Sequence, residues 1–313
     1  MYNPTKPYKK PILDLIKQTW KTPYVSIENG IVKKKFNYPE YHHADGIGTK
    51  GIYHWEARTF KNAVLDALAM NLNDLAMAGA TPYALVDHIV LPKEDNKAIL
   101  EIVLHLTQEC KKRKIAITGG ETAIHSNMEG LEISITMLGF VKGQKPNQFR
   151  PGDSLVGIAS NGLHSNGFTK VREVFKKNYN PAFTKPTLVY LDCFLRLGLY
   201  EKYDVHGMQH ITGGAFTKLK DLLDKSDAII HRRHRLRPQK IFKEIYKRGV
   251  SDNEMYKTFN CGIGFVLSIA PRDAEKIIAQ LNTEFKADII GEVQKGNGKV
   301  KIESMFSQKT VKF

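Results

Sequence analysis

The sequence predicts an α/β fold of the α+β type in two domains, and three observations carry that expectation. Short apolar runs of strand character alternate with longer segments whose apolar residues recur every three or four positions. A polar stretch rich in proline and glycine, Gly143 to Gly152, breaks this alternation near mid-chain. The 313 residues are 42% hydrophobic, enough for a core in each half. The expected division is residues 1–144 and 145–313.

Within the first half, Ile12 to Trp20 reads as a short amphipathic helix and Tyr24 to Phe36 as a strand pair turning at Asn29-Gly30. Lys61 to Met77 is predicted helical from Val64, Leu65, Leu68, Ala69, Leu72, Leu75 and Ala76. Tyr83 to Leu91 is a strand, Glu94 to Lys114 a helix, and Ile115 to Ile117 a short strand ending in a Gly119-Gly120 loop at a sheet edge. Leu131 to Val141 alternates apolar with polar residues, as a half-buried strand does. In the second half, Ser154 to Ser160 is a strand, followed by a polar loop and a helix from Phe168 to about Lys177. Helices are expected at Phe216–Leu223, Ile241–Tyr246 and Asp273–Phe285, and strands at Phe265–Ala270 and Asp288–Val293. A Gly-Asn-Gly hairpin should lead into Lys299 to Glu303.

The chemistry collects between Asp45 and Glu121. Asp45-Gly-Ile-Gly-Thr-Lys50 is a turn whose glycines, Gly46 and Gly48, let backbone N–H groups approach an anion, with the Thr49 hydroxyl and Lys50 ammonium beside them. The spacing is not that of a Walker-type loop, and such a string alone is more often an ordinary polar turn. On the following helix Asp66 and Asn73 are two turns apart with Asp74 one step further round, all on the side away from the apolar stripe. That side is either a solvated face or a set of ligands for a hydrated magnesium ion. Gly120, Glu121 and Thr122 follow the next strand, where alone they read as a tight turn with an exposed Glu121, or else place another carboxylate at a sheet edge. Asp45, Asp74 and Glu121 together would make an oxygen-ligand set for Mg²⁺.

The second half contains two loops of small donors ahead of helices. One is Asn161, Gly162, Leu163, His164, Ser165, Asn166 and Gly167; the other carries Thr212, Gly213 and Gly214. Free N–H groups and the helix dipole make such places anion sites. His164 is the group in its loop suited to move a proton near neutral pH, against the plainer reading of an exposed loop histidine.

Composition narrows the class. No apolar run is long enough to cross a membrane, and the N-terminal stretch lacks an apolar signal region. Three widely spaced cysteines argue against a disulfide framework and a zinc cluster, so the cytoplasm is the expected compartment. The net charge of +15 would steer phosphorylated ligands inward and would also attract nucleic acid. Basic clusters at Lys33–Lys35, Lys111–Lys114 and His231–Arg237 come without stacking aromatics or finger spacing, which argues against nucleic acid and for solvated faces.

Taken together, these strings resemble the aminoimidazole ribonucleotide synthetases, or phosphoribosylformylglycinamidine cyclo-ligases, of purine biosynthesis. The matching residues are Asp45 to Lys50, Asp66 with Asn73-Asp74-Leu75, Gly119 to Ala123, Asn161 to Gly167, His210 to Gly214 and Glu254 to Gly264, in the family's order. The resemblance implies two α/β domains per chain, with N-terminal domains pairing into a dimeric β-barrel. It assigns ATP and Mg²⁺ to Asp45, Asp66, Asp74 and Glu121 with Lys50 on the phosphates. The formylglycinamidine ribonucleotide substrate falls to the loops of His164, Thr212 and Asn260. Lys50, Asp74 and His164 would be catalytic. Two alternatives stay open: another ATP-using enzyme of the superfamily, and a non-catalytic nucleotide- or nucleic-acid-binding relative.

Overall fold

The protein is described by a computed structural model covering residues 7–143 and 146–313. The expected N-terminal stretch (1–6) and the junction between 144 and 145 lie outside the described residues. The chain separates into two compact units, Met1–Gln144 and Lys145–Phe313.

The first unit opens with α1 (Lys9–Lys17), a 3-10 turn, and the hairpin β1 (Val25–Glu28) and β2 (Ile31–Lys34). Asn29 and Gly30 take φ of 51° and 77° at its turn, the left-handed pair that matches strand twist. There follow β3 (Glu40–Gly46), α2 (Lys50–Ala57), α3 (Phe60–Met77), β4 (Thr81–Leu91), α4 (Asn96–Arg113), β5 (Ala116–Ile124) and β6 (Glu132–Phe140). The sheet order is β3-β6-β4-β5, parallel between β4 and β5 and antiparallel elsewhere. Asp95 caps α4 by accepting the Ala98 N–H at 3.0 Å.

Two expectations change here. First, α3 has no solvated face at its acids: Asp66 and Asn73 are fully buried and Asp74 is 8% exposed. The helix lies against β3, β6, α2 and α4, so its polar residues face protein as its leucines do. Second, Gly119-Gly120-Glu121 is no loop. It sits inside β5, the edge strand, with a register shift where β4 passes from Leu85 to Val86.

The second unit runs β7 (Ser154–Ala159), α5 (Phe168–Phe175), α6 (Leu191–Leu197), α7 (Leu199–Lys202), β8 (Val205–His210), β9 (Ser226–Ile230), α8 (Lys240–Lys247), α9 (Asp252–Thr258), β10 (Ile263–Ile269), α10 (Pro271–Leu281), β11 (Ala287–Lys295), β12 (Val300–Glu303) and β13 (Thr310–Lys312). The segment expected as a helix from Phe216 is a 3-10 helix, Ala215–Leu222. The sheet order is β13-β12-β9-β11-β7-β10-β8, with β9 and β12 parallel. Strand β10 is buried along its whole length, as a strand covered on both faces must be. The expected Gly-Asn-Gly hairpin is not formed, because β9 lies between β11 and β12. The turn is held back onto β9 by Asp227, which accepts the Asn297 and Lys299 N–H groups at 2.8 and 2.9 Å. Among the described residues no helix is long and apolar enough to cross a membrane.

Candidate functional site

Register decides where the N-terminal candidates point. Asp45, Ile135, Asp87 and Gly120 form one row across the sheet; Gly46, Ser134, His88 and Glu121 form the next. Adjacent rows project to opposite faces. Ile135 is buried on the side covered by α3, so Asp45 and Asp87 share that side and Glu121 leaves from the other.

Asp45 and Asp74 meet around a histidine the sequence did not single out. His43 Nε2 lies 3.1 Å from Asp74, and Nδ1 is 3.1 Å from the Asn71 amide oxygen. Asn71 in turn donates to the Asp45 carbonyl at 3.1 Å. The hydrogen bond to Asp74 raises the His43 pKa against its burial, and the Asp45 charge adds to it. The turn after β3 keeps Gly48 exposed at φ 53°, with Thr49 half-buried. Over Gly46 sits Glu132, whose Oε1 would be 2.3 Å from any added Cβ. Burial raises the Glu132 pKa, opposed by the Ser134 hydroxyl and the Gly48 and Ile47 N–H groups.

Lys50 and Asp66 are placed differently from the expectation. Both are fully buried, with Nζ 2.7 Å from Asp66 Oδ2. His54, also fully buried, brings Nε2 to 2.8 Å of the same oxygen and Nδ1 to 2.8 Å of the Thr59 hydroxyl. Burial works to raise the Asp66 pKa, but Lys50 and His54 hold the carboxyl well below its ordinary range. Burial depresses both Lys50 and His54. This triad fixes α2 to α3 beneath the turn, and the Lys50 ammonium points inward.

The expected carboxylate set of Asp45, Asp74 and Glu121 is not brought together in one chain. Among the described residues no group of three or more His, Cys, Asp or Glu side chains is placed to hold a metal ion. Asp45 and Asp74 lie on the same side of the sheet, linked through His43 and Asn71. Two carboxylates suit a magnesium ion that keeps its waters and arrives on a nucleotide's phosphates.

In the second unit the three sequence-predicted loops do converge. Asn260, fully buried, accepts the Ser160 hydroxyl at 2.8 Å and the Gly262 N–H at 2.9 Å, and donates to the Gly162 and Leu163 carbonyls at 2.9 and 3.2 Å. Thr212 donates to Asn166 at 2.7 Å, and Asn166 donates to the Ile211 carbonyl. Ser165 meets the Thr187 hydroxyl at 3.0 Å, and Asn161 donates to the Pro186 carbonyl. Thus Asn260, Asn166 and Thr212 bind the loops to one another, and the exposed groups are the Gly213-Gly214 backbone. Backbone strain gathers here too: His164, Ala215 and Cys261 take φ of 59°, 42° and 47°, one in each loop.

His164 is 1% exposed, not the exposed loop residue of the plainer reading, and its ring lies 6.2 Å from that of Tyr190. Tyr190 donates to the Ala159 carbonyl at 2.9 Å. Sequence reasoning missed Tyr190, Ser160, Thr187 and Gln239, whose amide donates to the Ser160 carbonyl at 2.6 Å; none stands in a recognisable string. Gly264 makes room for this packing, since a Cβ there would fall 2.0 Å from the Tyr190 hydroxyl and 2.8 Å from the His164 ring. Gly264→Ala should therefore destabilise the second unit by about 2–4 kcal/mol. Chemical denaturation measures this, and a variant as stable as wild type would show the ring pair to be loosely held.

Solved structures share this fold. HypE in complex with ATP superposes with a TM-score of 0.70 at 16% identity, over 99% of this chain and 95% of that one. A ThiL complexed with AMPPCP and TMP gives 0.61 at 17%, over 97% and 96%. The chain thus has the two-domain α/β architecture of these proteins. Residues 39–141 match the AIR synthase related protein N-terminal domain and 150–303 its C-terminal domain. The chain is 36% identical to the phosphoribosylformylglycinamidine cyclo-ligase of Saccharolobus solfataricus over 264 residues, 82% of this chain and 79% of the relative. It is 34% identical to that of Thermococcus gammatolerans over 276 residues, 83% of this chain and 80% of the relative. The chain belongs to the AIR synthase family, among the phosphoribosylformylglycinamidine cyclo-ligases.

Proposed function

We propose that the chain catalyses ATP-dependent cyclisation of formylglycinamidine ribonucleotide to aminoimidazole ribonucleotide, ADP and phosphate, as a cytoplasmic homodimer. The observation that carries the reading is the convergence of the 161–167, 210–214 and 259–262 loops on one strained, internally bonded cradle in a chain of this family. The γ-phosphoryl group passes to the formyl-amide oxygen, the amidine nitrogen attacks the activated carbon, and the ring closes as phosphate leaves. Such transfers depend on positioning and charge neutralisation rather than on covalent help from the protein.

The first unit takes ATP at the turn of Asp45, Gly46, Gly48 and Thr49. Asp45 and Asp74 would hold a nucleotide-borne magnesium ion, which supplies charge neutralisation at the phosphates. His43 pairs with Asp74 and orients it. Lys50 and Asp66 set the turn from beneath, while Glu121 and Gly120 lie in the strand whose open face the partner's sheet would cover in a paired barrel. The second unit takes the ribonucleotide phosphate on the Gly213-Gly214 backbone beside Asn161, Gly162 and Ser165, with His164 positioning the reacting amide.

The test is ADP release with formylglycinamidine ribonucleotide. Asp74→Asn, which keeps the shape but not the charge, should lower kcat by roughly a hundredfold or more. ADP formation that ignores the substrate, or an Asp74→Asn enzyme as fast as wild type, would overturn the reading.

A further inference from the structure

A cavity of about 920 Å³ opens on the sheet of the second unit, away from the three loops above. Its walls are Ser154 at the start of β7, residues 289–292 of β11, residues 231–233 after β9, and Glu303, Gln308 and Thr310 around β12 and β13. The volume lies in the range of small-ligand pockets. A bulge shapes its floor: β11 shifts register between Ile289 and Gly291, and a Cβ at Gly291 would fall 1.8 Å from the Ile229 carbonyl. Bulges of this kind re-aim side chains beside binding sites, and here Ile289 is left 36% exposed.

The basic run His231–Arg237 also finds its explanation here. Most of it is spent on structure. Arg232 donates to the Ser304 carbonyl at 2.7 Å and pairs with Gln308, and its N–H binds Glu303 at 2.9 Å. Arg235 pairs with Asp288, and Arg237 reaches the Arg232 carbonyl. Arg233 is exposed, and neither its guanidinium nor the His231 ring has a hydrogen-bond or ion-pair partner among the described residues. Both line the cavity together with Glu292 and Glu303, and the Glu303 carboxylate accepts the neighbouring Arg232 N–H.

We propose that this cavity binds a phosphomonoester carrying hydroxyl groups, a molecule of nucleoside monophosphate size. Arg233 offers the planar fork that fits a phosphate, with His231 beside it. Glu292 and Glu303 accept from sugar hydroxyls, and the Ile289 side chain supports an apolar ring. The site is separate from the residues proposed for the reaction and stands whatever that reaction is.

Hydrogen–deuterium exchange on the full-length chain tests it, with adenosine 5′-monophosphate, ribose 5-phosphate, inorganic phosphate and adenosine as probes. Millimolar adenosine 5′-monophosphate should protect 229–233, 288–292 and 303–310, and adenosine should not. Arg233→Ala should raise the concentration for half-protection there by roughly tenfold, about the loss of one charge-assisted contact. Its turnover without added probe should equal wild type, and exchange of the unliganded variant should match wild type, showing that the sheet is intact. No protection of these segments by any probe, equal protection by adenosine, or an unchanged half-point in Arg233→Ala would each overturn the proposal.

Discussion

Replacing Asp66 by alanine should destabilise the first unit by about 3–5 kcal/mol, because it leaves the Lys50 ammonium buried without its countercharge. Both groups have no exposure, and Lys50 lies 2.7 Å from the carboxylate that compensates it. His54 is no substitute, since burial depresses its pKa and its role toward Asp66 is to donate. The double variant Lys50→Met/Asp66→Leu should recover most of the loss, because an apolar pair of similar volume leaves no charge to desolvate. Thermal denaturation of wild type, single and double variants measures the effect, and a double variant as unstable as the single one would refute this account. The same protein separates two roles for Lys50. A stable double variant that turns over normally makes the lysine architectural; a stable but inactive one returns it to the phosphates.

The second large effect is one of pH. Asp87 is 7% exposed, its carboxyl has no hydrogen-bond partner among the described residues, and it abuts Gly120, where a Cβ would fall 2.7 Å from Oδ2. Burial alone pushes its pKa from 3.8 up to about 7. Between those values the native state holds a proton that the unfolded chain has already released, so stability falls as pH rises through the window and levels off above it. Asp87→Asn lacks that loss. At pH 8 the variant should be more stable than wild type by roughly 2–4 kcal/mol, and near pH 4 the two should be similar. Denaturation midpoints at the two pH values test the sign; a variant less stable at pH 8 would show that the carboxylate has favourable partners. A carboxyl kept in place against its own burial is a mark of function rather than stability.

What the sequence reveals divides by range. Helix α3 and its bounds follow from three- and four-residue spacing, but the burial of Asp66, Asn73 and Asp74 does not. A helix enclosed on all sides by β3, β6, α2 and α4 shows the same apolar stripe as one with a wet face, and only tertiary packing distinguishes them. Gly119-Gly120 reads as a loop because glycine punctuates turns. Inside β5 it has the other meaning of strand glycine, close approach, here by the Asp87 carboxylate. The hairpin expected at Gly296 to Gly298 fails for a non-local reason, because β9 from some seventy residues earlier takes the place between the two strands. The binding loops were legible as loops, yet Asn260 and Thr212 stand out in sequence for a ligand and in structure for holding the cradle together. His43, Asp87 and Tyr190 carry no local pattern at all.

The Asn260 amide has a consequence for how the molecule comes into being. It ties carbonyls 98 and 97 residues upstream, and closing so long a segment carries an entropy cost that only the completed sheet offsets. On a growing polypeptide the 161–167 loop emerges well before the residue that gives it its shape. The ribonucleotide cradle is therefore among the last parts to set, and a nascent chain stopped short of residue 260 has the strand β7 without the means to grip a phosphate beside it.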